Sequence, residues 1–232
     1  MALQRAGNEG ERIAAALRER ILKGELKPGQ RIRQEAVAER FDSSRMPVRA
    51  ALQQLAAEQL VVLEPRVGAR VAELDAEEFI RIYRLRESLE PLVARVSAER
   101  ITDAQIARVL ALAEELHAVT GIPERLDEFH RVDRAFHLAT YAGADFPGYL
   151  DRIEQLSNRA QCYRFAIVPG FLESDFTATI ADHQLICSYL AERDGEGLGE
   201  MVRLHIRRTR RIAERSPWLH EPRPAGLRGR RY

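Results

Sequence analysis

Residues 41–55 have the sequence FDSSRMPVRAALQQL, which combines a helix start with an amphipathic helix. Ser43 or Ser44 can cap this helix, because a serine hydroxyl accepts a backbone N–H of the first turn. Pro47 falls within that turn, where its missing N–H costs little. Apolar residues follow at i, i+3, i+4 and i+7, which predicts one buried face: Val48, Ala51, Leu52 and Leu55.

Two arginines occupy a different face of the same predicted helix. Arg45 and Arg49 are four residues apart, so their side chains are neighbours near the helix N-terminus. The helix dipole is positive at that end, and arginine binds guanine bidentately, so phosphates and base edges suit this position. The segment by itself leaves two interpretations open: a DNA contact, or a solvated pair of arginines.

The flanking segments favour the first interpretation. A helix, a turn and a second short helix precede the stretch, which is the pattern of a helix-turn-helix. Two strands follow it, joined by a tip that contains Arg66 and Gly68, and such a hairpin forms a wing. These predicted elements are residues 12–22, 26–30, 34–41, 61–64 and 69–72.

Residues 12–72 resemble the winged helix-turn-helix domain of GntR-type bacterial transcription regulators, and we expect this DNA-binding domain to span residues 8–74. The resemblance lies in the turn around Pro28-Gly29, the helix that starts at Ser44, and the wing segment Gly68-Ala69-Arg70-Val71. It implies binding to double-stranded operator DNA through Ser44, Arg45, Met46, Arg49, Arg66 and Gly68. The sequence departs from the family at Gln59, where glycine is usual, and at Ala50, where glutamate is usual.

Composition excludes several other classes of protein. The 232 residues are 45% hydrophobic and 31% charged, with an excess of basic residues before residue 73 and a slight excess of acidic residues after it. No apolar run reaches the roughly 18–20 residues of a membrane span, and the N-terminus lacks the apolar core of a signal peptide. Two cysteines are too few for a disulfide framework, which favours a cytoplasmic location.

The rest of the chain shows helical periodicity only. Six helices with short connections predict an antiparallel bundle over residues 75–218, with Pro91 as a kink or break in the first helix. Residues 219–232 form a basic tail that we expect to be flexible. Six arginines crowd the last helix, which indicates a solvated face or a contact with DNA or the first domain: Arg203, Arg207, Arg208, Arg210, Arg211 and Arg215.

Histidines on three of these helices could converge inside the bundle. Asp133 and His137 are four residues apart and leave the same helix face, while His183 and His205 lie next to apolar stripes of two later helices. Imidazole and carboxylate suit zinc, nickel, cobalt, iron or manganese. The alternative is three separate core histidines. His130 is a rival ligand, and His117 and His220 are expected at the surface or in loops.

Residues 75–215 resemble the helical effector domain, called FCD, of the FadR subfamily of GntR regulators. The matching motifs are Arg86-x-x-Leu89-Glu90 and the order Asp-x-x-x-His, His, His formed by Asp133, His137, His183 and His205. The resemblance implies that these four residues hold a divalent metal, with zinc as the first choice. The family's usual asparagine after the third bundle helix is missing at Gly143-Ala144-Asp145.

The prediction is therefore a homodimeric DNA-binding transcription regulator rather than an enzyme. A small organic acid would complete the coordination of the metal and pair with Arg86 or Arg164, since arginine meets carboxylates bidentately. Effector and DNA would then favour different arrangements of the two DNA-binding domains of the dimer. The resemblance implies repression that the effector relieves, which is the commoner arrangement in the family. Two alternatives remain: a metalloenzyme that activates water in the bundle, or a regulator for which the metal itself is the signal.

Overall fold

The structure is a computed structural model that describes residues 2–65, 68–73 and 76–217, without the side chains of residues 2–8, 147, 162 and 166. Arg66, the end of the first predicted domain at residue 74 and the basic tail from residue 219 therefore lie outside the described residues. The chain divides into two compact units between residues 75 and 76. The mainly α fold, with a winged helix-turn-helix and a helical bundle, is confirmed.

The first unit contains three helices and a three-stranded antiparallel sheet. Its elements are α1 (Ala2–Leu22), β1 (Arg31–Arg33), α2 (Gln34–Phe41), α3 (Arg45–Ala57), β2 (Val61–Glu64) and β3 (Gly68–Val71). The strand order is β1-β3-β2, so β3 is central. The sequence predicted only the β2–β3 hairpin, because β1 has three residues, of which Ile32 alone is buried. It also predicted the start of α1 ten residues too late.

The helix α3 is held by its apolar face, as the sequence indicates. Val48, Ala51, Leu52 and Leu55 are fully buried, and they pack against Ile13, Leu17 and Ile21 of α1. Ser44 is the N-cap residue with extended backbone, but its hydroxyl makes no capping hydrogen bond, so that part of the prediction is wrong. The helix thus depends on packing rather than on its cap.

The second unit is a bundle of six helices: α4 (Ala76–Arg100), α5 (Asp103–His117), α6 (Leu126–Thr140), α7 (Pro147–Ile167), α8 (Glu173–Ala191) and α9 (Gly195–Glu214). The helix α4 continues through Pro91, so the break that the sequence allowed there is absent. Thr102 caps α5 with a capping box. No helix in the described part of the chain is long and apolar enough to cross a bilayer.

The helices α4 and α9 make the most extensive helix–helix contact of this unit. A Cβ on Gly195 would lie 2.8 Å from the carbonyl oxygen of Arg95, so glycine permits their close approach. The six arginines of α9 and its C-cap were predicted to form a solvated face or to contact DNA or the first domain. Five of them form ion pairs within the unit: Arg203 with Glu200, Arg207 and Arg210 with Glu87, Arg208 with Asp182, and Arg215 with Asp175. All but Arg210 keep 33% or more of the side chain exposed, so these pairs lie on a partly solvated face.

Candidate functional site

The first unit presents an exposed edge of α3. Arg45, Met46 and Arg49 are all exposed at the start of the helix, and the apolar side chain of Met46 is 73% exposed. Arg45 lies 3.5 Å from Glu35, but both side chains are mostly in water, so the pair is weak. Arg49 has no ion-pair partner among the described residues. Ser44 is also exposed, so these four predicted DNA contacts share one accessible helix end.

The same edge includes a residue that the sequence argument did not consider. Gln53 is exposed and lies four residues after Arg49, and hence on the same helix face as Arg45 and Arg49. Glutamine pairs bidentately with adenine, so Gln53 can read a base beside them. We call Arg45, Met46, Arg49 and Gln53 the α3 edge.

Gly68, a predicted wing contact, has a structural reason for being glycine. Its φ is +137°, and a Cβ there would lie 2.3 Å from the carbonyl oxygen of Ile32. A side chain would therefore push β3 away from β1. This role needs no DNA, whereas a DNA contact by Gly68 stays a prediction.

In the second unit, three histidines from three helices meet. His137 of α6, His183 of α8 and His205 of α9 each offer a ring nitrogen, and these nitrogens lie within 4.8 Å of one another. His183 is fully buried, and its two ring nitrogens have no hydrogen-bond partner among the described residues. Three separate core histidines, each bonded to the backbone, would not produce this arrangement. We call the three residues the histidine trio.

Asp133 joins the trio from the same face of α6. Its Oδ1 lies 3.7 Å from Nε2 of His137 and 4.0 Å from Nε2 of His183, and its Oδ2 accepts a hydrogen bond from Arg164. Burial opposes ionisation of this carboxyl, but Arg164 and His137 hold its pKa well below the ordinary value. Asp133 is therefore an anion that points one oxygen at the histidines.

The electrostatics favour neutral imidazoles at His183 and His205. Burial lowers the pKa of His183 well below its ordinary value, and the neighbouring histidines lower it further. Burial also lowers the pKa of His205, although Asp182 acts in the opposite direction. Neutral rings keep the lone pairs that bind a metal, and three imidazoles with one carboxylate are a donor set that zinc and related metals accept.

A carboxylate behind the trio orients one of its rings. His205 Nδ1 lies 3.3 Å from Oδ2 of Asp182, so Nδ1–H donates to the carboxylate and Nε2 keeps its lone pair. Arg208 in turn fixes the Asp182 carboxylate, because its Nε and Nη2 donate hydrogen bonds to the two carboxylate oxygens at 2.9 and 3.0 Å. The sequence argument gave Asp182 and Arg208 no role in the site. Arg208 follows His205 by three residues, however, and this spacing places the two side chains on one face of α9.

The two candidate effector arginines differ in their surroundings. Arg86 is buried and donates to Glu90 at 2.5 Å, and Tyr141 donates to the same carboxylate at 2.7 Å. Its charge is therefore already neutralised inside the unit. Arg164 contacts Asp133, and its buried Nε has no partner among the described residues. Of the two, Arg164 touches a member of the candidate centre and has a free donor.

The other two histidines of the bundle are also placed by the structure. His117 was expected at the surface or in a loop. It is half-buried at the end of α5, where α5 packs against α8, and its ring stacks on that of His183 with centroids 6.2 Å apart. Its Nε2 is buried without a partner among the described residues. His130 is 98% buried and lies outside the 4.8 Å group formed by the trio.

Comparison with known proteins gives two matches in chain order. The family of bacterial regulatory proteins called gntR matches residues 9–71, and the FCD domain matches residues 81–208. The matched FCD region contains Asp133 and all of the histidine trio.

Individual relatives extend over most of the chain. The HTH-type transcriptional repressor GlaR of Escherichia coli (strain K12) is 30% identical over 82% of this chain and 89% of GlaR. The gluconate operon transcriptional repressor of Bacillus subtilis (strain 168) is 35% identical over 80% of this chain and 76% of that protein. The solved structure of E. coli McbR/YncC has a TM-score of 0.79 at 24% identity, over 89% and 97% of the two chains, which shows a shared fold.

Proposed function

Because the chain belongs to the gntR family of bacterial regulatory proteins and carries an FCD domain, we propose that it is an operator-binding transcriptional repressor controlled by a small carboxylate at a metal centre. The observation that carries the proposal is the meeting of the histidine trio and Asp133 inside the FCD region. GlaR and the gluconate operon repressor are transcriptional repressors, which supports a regulator rather than an enzyme.

The α3 edge is the proposed reader of the operator. Arg45 and Arg49 present guanidinium groups that fit guanine, Gln53 presents an amide that fits adenine, and Met46 offers apolar contact to a thymine methyl. All four are exposed, so binding needs no rearrangement of the helix. A single helix of this kind buries little surface, so we propose a homodimer on a near-palindromic operator.

An exposed apolar stripe on α4 supports the homodimer. Leu85 and Leu92 are 57% and 58% exposed and lie seven residues apart, and the half-buried Leu89 and Val96 continue the same face. Such a row is costly in water and suits a self-complementary interface. Sedimentation at micromolar concentration tests it: a dimer is expected, and Leu85→Glu with Leu92→Glu should yield monomers.

Asp133, His137, His183 and His205 are the proposed metal ligands, with zinc as the first choice. The partnerless nitrogens of His183 support this, because a buried imidazole with no hydrogen bond costs free energy that a metal would recover. A bound metal would act as a Lewis acid that ligates a carboxylate. Arg164 orients Asp133 and can donate its Nε to the same ligand, and Asp182 orients His205.

Elemental analysis tests the metal centre. We expect about one metal ion per chain, and far less in His137→Ala, His183→Ala and His205→Ala, whereas His117→Ala should keep it. Operator binding without effector should survive in all four variants, because their substitutions lie outside the DNA-binding unit. A parent protein that takes up neither zinc, nickel nor manganese on titration would remove the metal centre from the proposal.

A further inference from the structure

One buried histidine has no partner for either ring nitrogen. His130 is 2% exposed, and neither its Nδ1 nor its Nε2 has a hydrogen-bond partner among the described residues. Buried polar atoms are nearly always paired, because an unpaired one retains its full desolvation cost. Two unpaired atoms on one ring therefore indicate that something outside the chain completes them.

His130 lies beside the proposed metal centre. It precedes Asp133 by three residues and His137 by seven, so all three side chains leave the same face of α6. Its ring packs against Phe165 of α7, with centroids 4.3 Å apart. The preceding residue of α7 is Arg164, which contacts Asp133 and has an unpaired Nε.

The protonation of His130 defines what can pair with it. Burial and then the charge of Arg164 lower its pKa to about 3, so the ring is neutral at physiological pH. A neutral imidazole has one N–H donor and one acceptor nitrogen. The acceptor needs a donor from its partner. A carboxylate has none, and an ammonium group is disfavoured beside Arg164 and a metal, but a hydroxyl group supplies one.

We propose that His130 binds a hydroxyl group of the effector, and that the effector is a hydroxycarboxylate rather than a plain carboxylate. The inference rests on the proposed function, because the carboxylate end is the part that meets the metal and the Nε of Arg164. His130 then accepts a hydrogen bond from the ligand hydroxyl. The residue acts in ligand selection and is not a metal ligand.

The test compares acids that differ by one hydroxyl group, titrated calorimetrically into the zinc-loaded full chain. The pairs are propanoate with 2-hydroxypropanoate, butanoate with 3-hydroxybutanoate, and butanedioate with hydroxybutanedioate. In the parent, at least one hydroxylated acid should bind about 5- to 100-fold more tightly than its partner, which is the effect of leaving a buried hydrogen-bonding group unpaired.

Variants distinguish recognition of the hydroxyl group by His130 from its recognition by the metal, because a metal ion can itself bind a 2-hydroxyl group. His130→Phe should lose the preference, keep the parent's metal content, and melt at a higher temperature without ligand, since the unpaired nitrogens are gone. His130→Gln retains a donor and an acceptor and should keep the preference. His117→Phe, which changes the half-buried histidine outside the trio whose Nε2 also has no partner among the described residues, is the matched control and should also keep it.

The outcomes distinguish this inference from the proposed function. Equal binding of both members of every pair would overturn the role of His130 and leave the carboxylate effector standing. A preference that survives in His130→Phe, or a His130→Phe protein that melts lower because an ordered water had satisfied the ring, would also overturn it. A metal-loaded parent that binds none of the six acids would overturn the carboxylate effector and this inference together.

Discussion

Replacing Asp182 with asparagine tests whether the carboxylate behind the histidine trio contributes to metal binding. Asp182 accepts from His205 Nδ1 at 3.3 Å and from Arg208 at 2.9 and 3.0 Å. Asparagine keeps the shape, but it offers one acceptor oxygen and an NH2 that faces the donors. The His205 ring then loses the partner that fixes its tautomer and orientation.

The expected size follows from this geometry. Losing a residue that supports a metal ligand costs about 10- to 100-fold in metal affinity, or roughly 1.4–2.7 kcal/mol. The contact of 3.3 Å is long for a charge-assisted hydrogen bond, so we expect the lower part of that range, about 10- to 30-fold. Competition with a chromophoric chelator measures the zinc affinity of parent and variant directly.

Asp175→Asn is the matched control, because it weakens an ion pair between α8 and Arg215, the C-cap residue of α9. Asp175 pairs with Arg215 at 3.0 Å, so both substitutions should lower the melting temperature. Only Asp182→Asn should lower zinc affinity. Unchanged affinity in Asp182→Asn, or an equal loss in Asp175→Asn, would refute the claim that Asp182 orients a metal ligand.

Three other predictions concern DNA binding and stability. Arg45→Ala should weaken operator binding by roughly 1–3 kcal/mol and affect random DNA less, as measured by fluorescence anisotropy; equal losses on both DNAs would mean a phosphate contact. Gln59 follows the C-cap residue of α3 and has φ +59°, a conformation in which L-residues are strained. Gln59→Gly should therefore raise the free energy of unfolding by up to about 1 kcal/mol in urea titration, and a decrease would contradict this. The pKa of His130 is lowered to about 3 in the folded protein, so between about pH 6.5 and 3 only the unfolded chain binds a proton at this residue. The free energy of unfolding should therefore decrease by up to about 1.4 kcal/mol for each unit by which the pH is lowered in this range. His130→Phe should flatten this dependence in the metal-free protein, and identical slopes for variant and parent would contradict the prediction.

The sequence by itself determined the helices with strong periodicity. The apolar faces of α3, α5 and α6 repeat every three or four residues, and burial of those faces is what holds each helix. The motif around Arg45 and the order of Asp133, His137, His183 and His205 were also visible, because each depends on local spacing. The winged helix-turn-helix, the helical bundle and the family were predictable for this reason.

Local signals were insufficient for short or context-dependent elements. The strand β1 has only three residues and exists through its pairing with β3. The start of α1 was predicted too late, and Ser44 makes no capping bond despite its suitable type. For β1, pairing with β3 outweighs the weak strand preference of three residues.

Only the tertiary structure decided which polar side chains meet. Periodicity places His183 and His205 on helix faces, but it does not tell which helices pack together or at what depth. The packing brings three imidazoles within 4.8 Å, aligns Asp182 and Arg208 behind one of them, and pairs Arg86 with Glu90 while Arg164 contacts Asp133. Burial then lowers the pKa values of His130 and His183, a change that requires the complete folded environment, since desolvation comes from every surrounding helix at once.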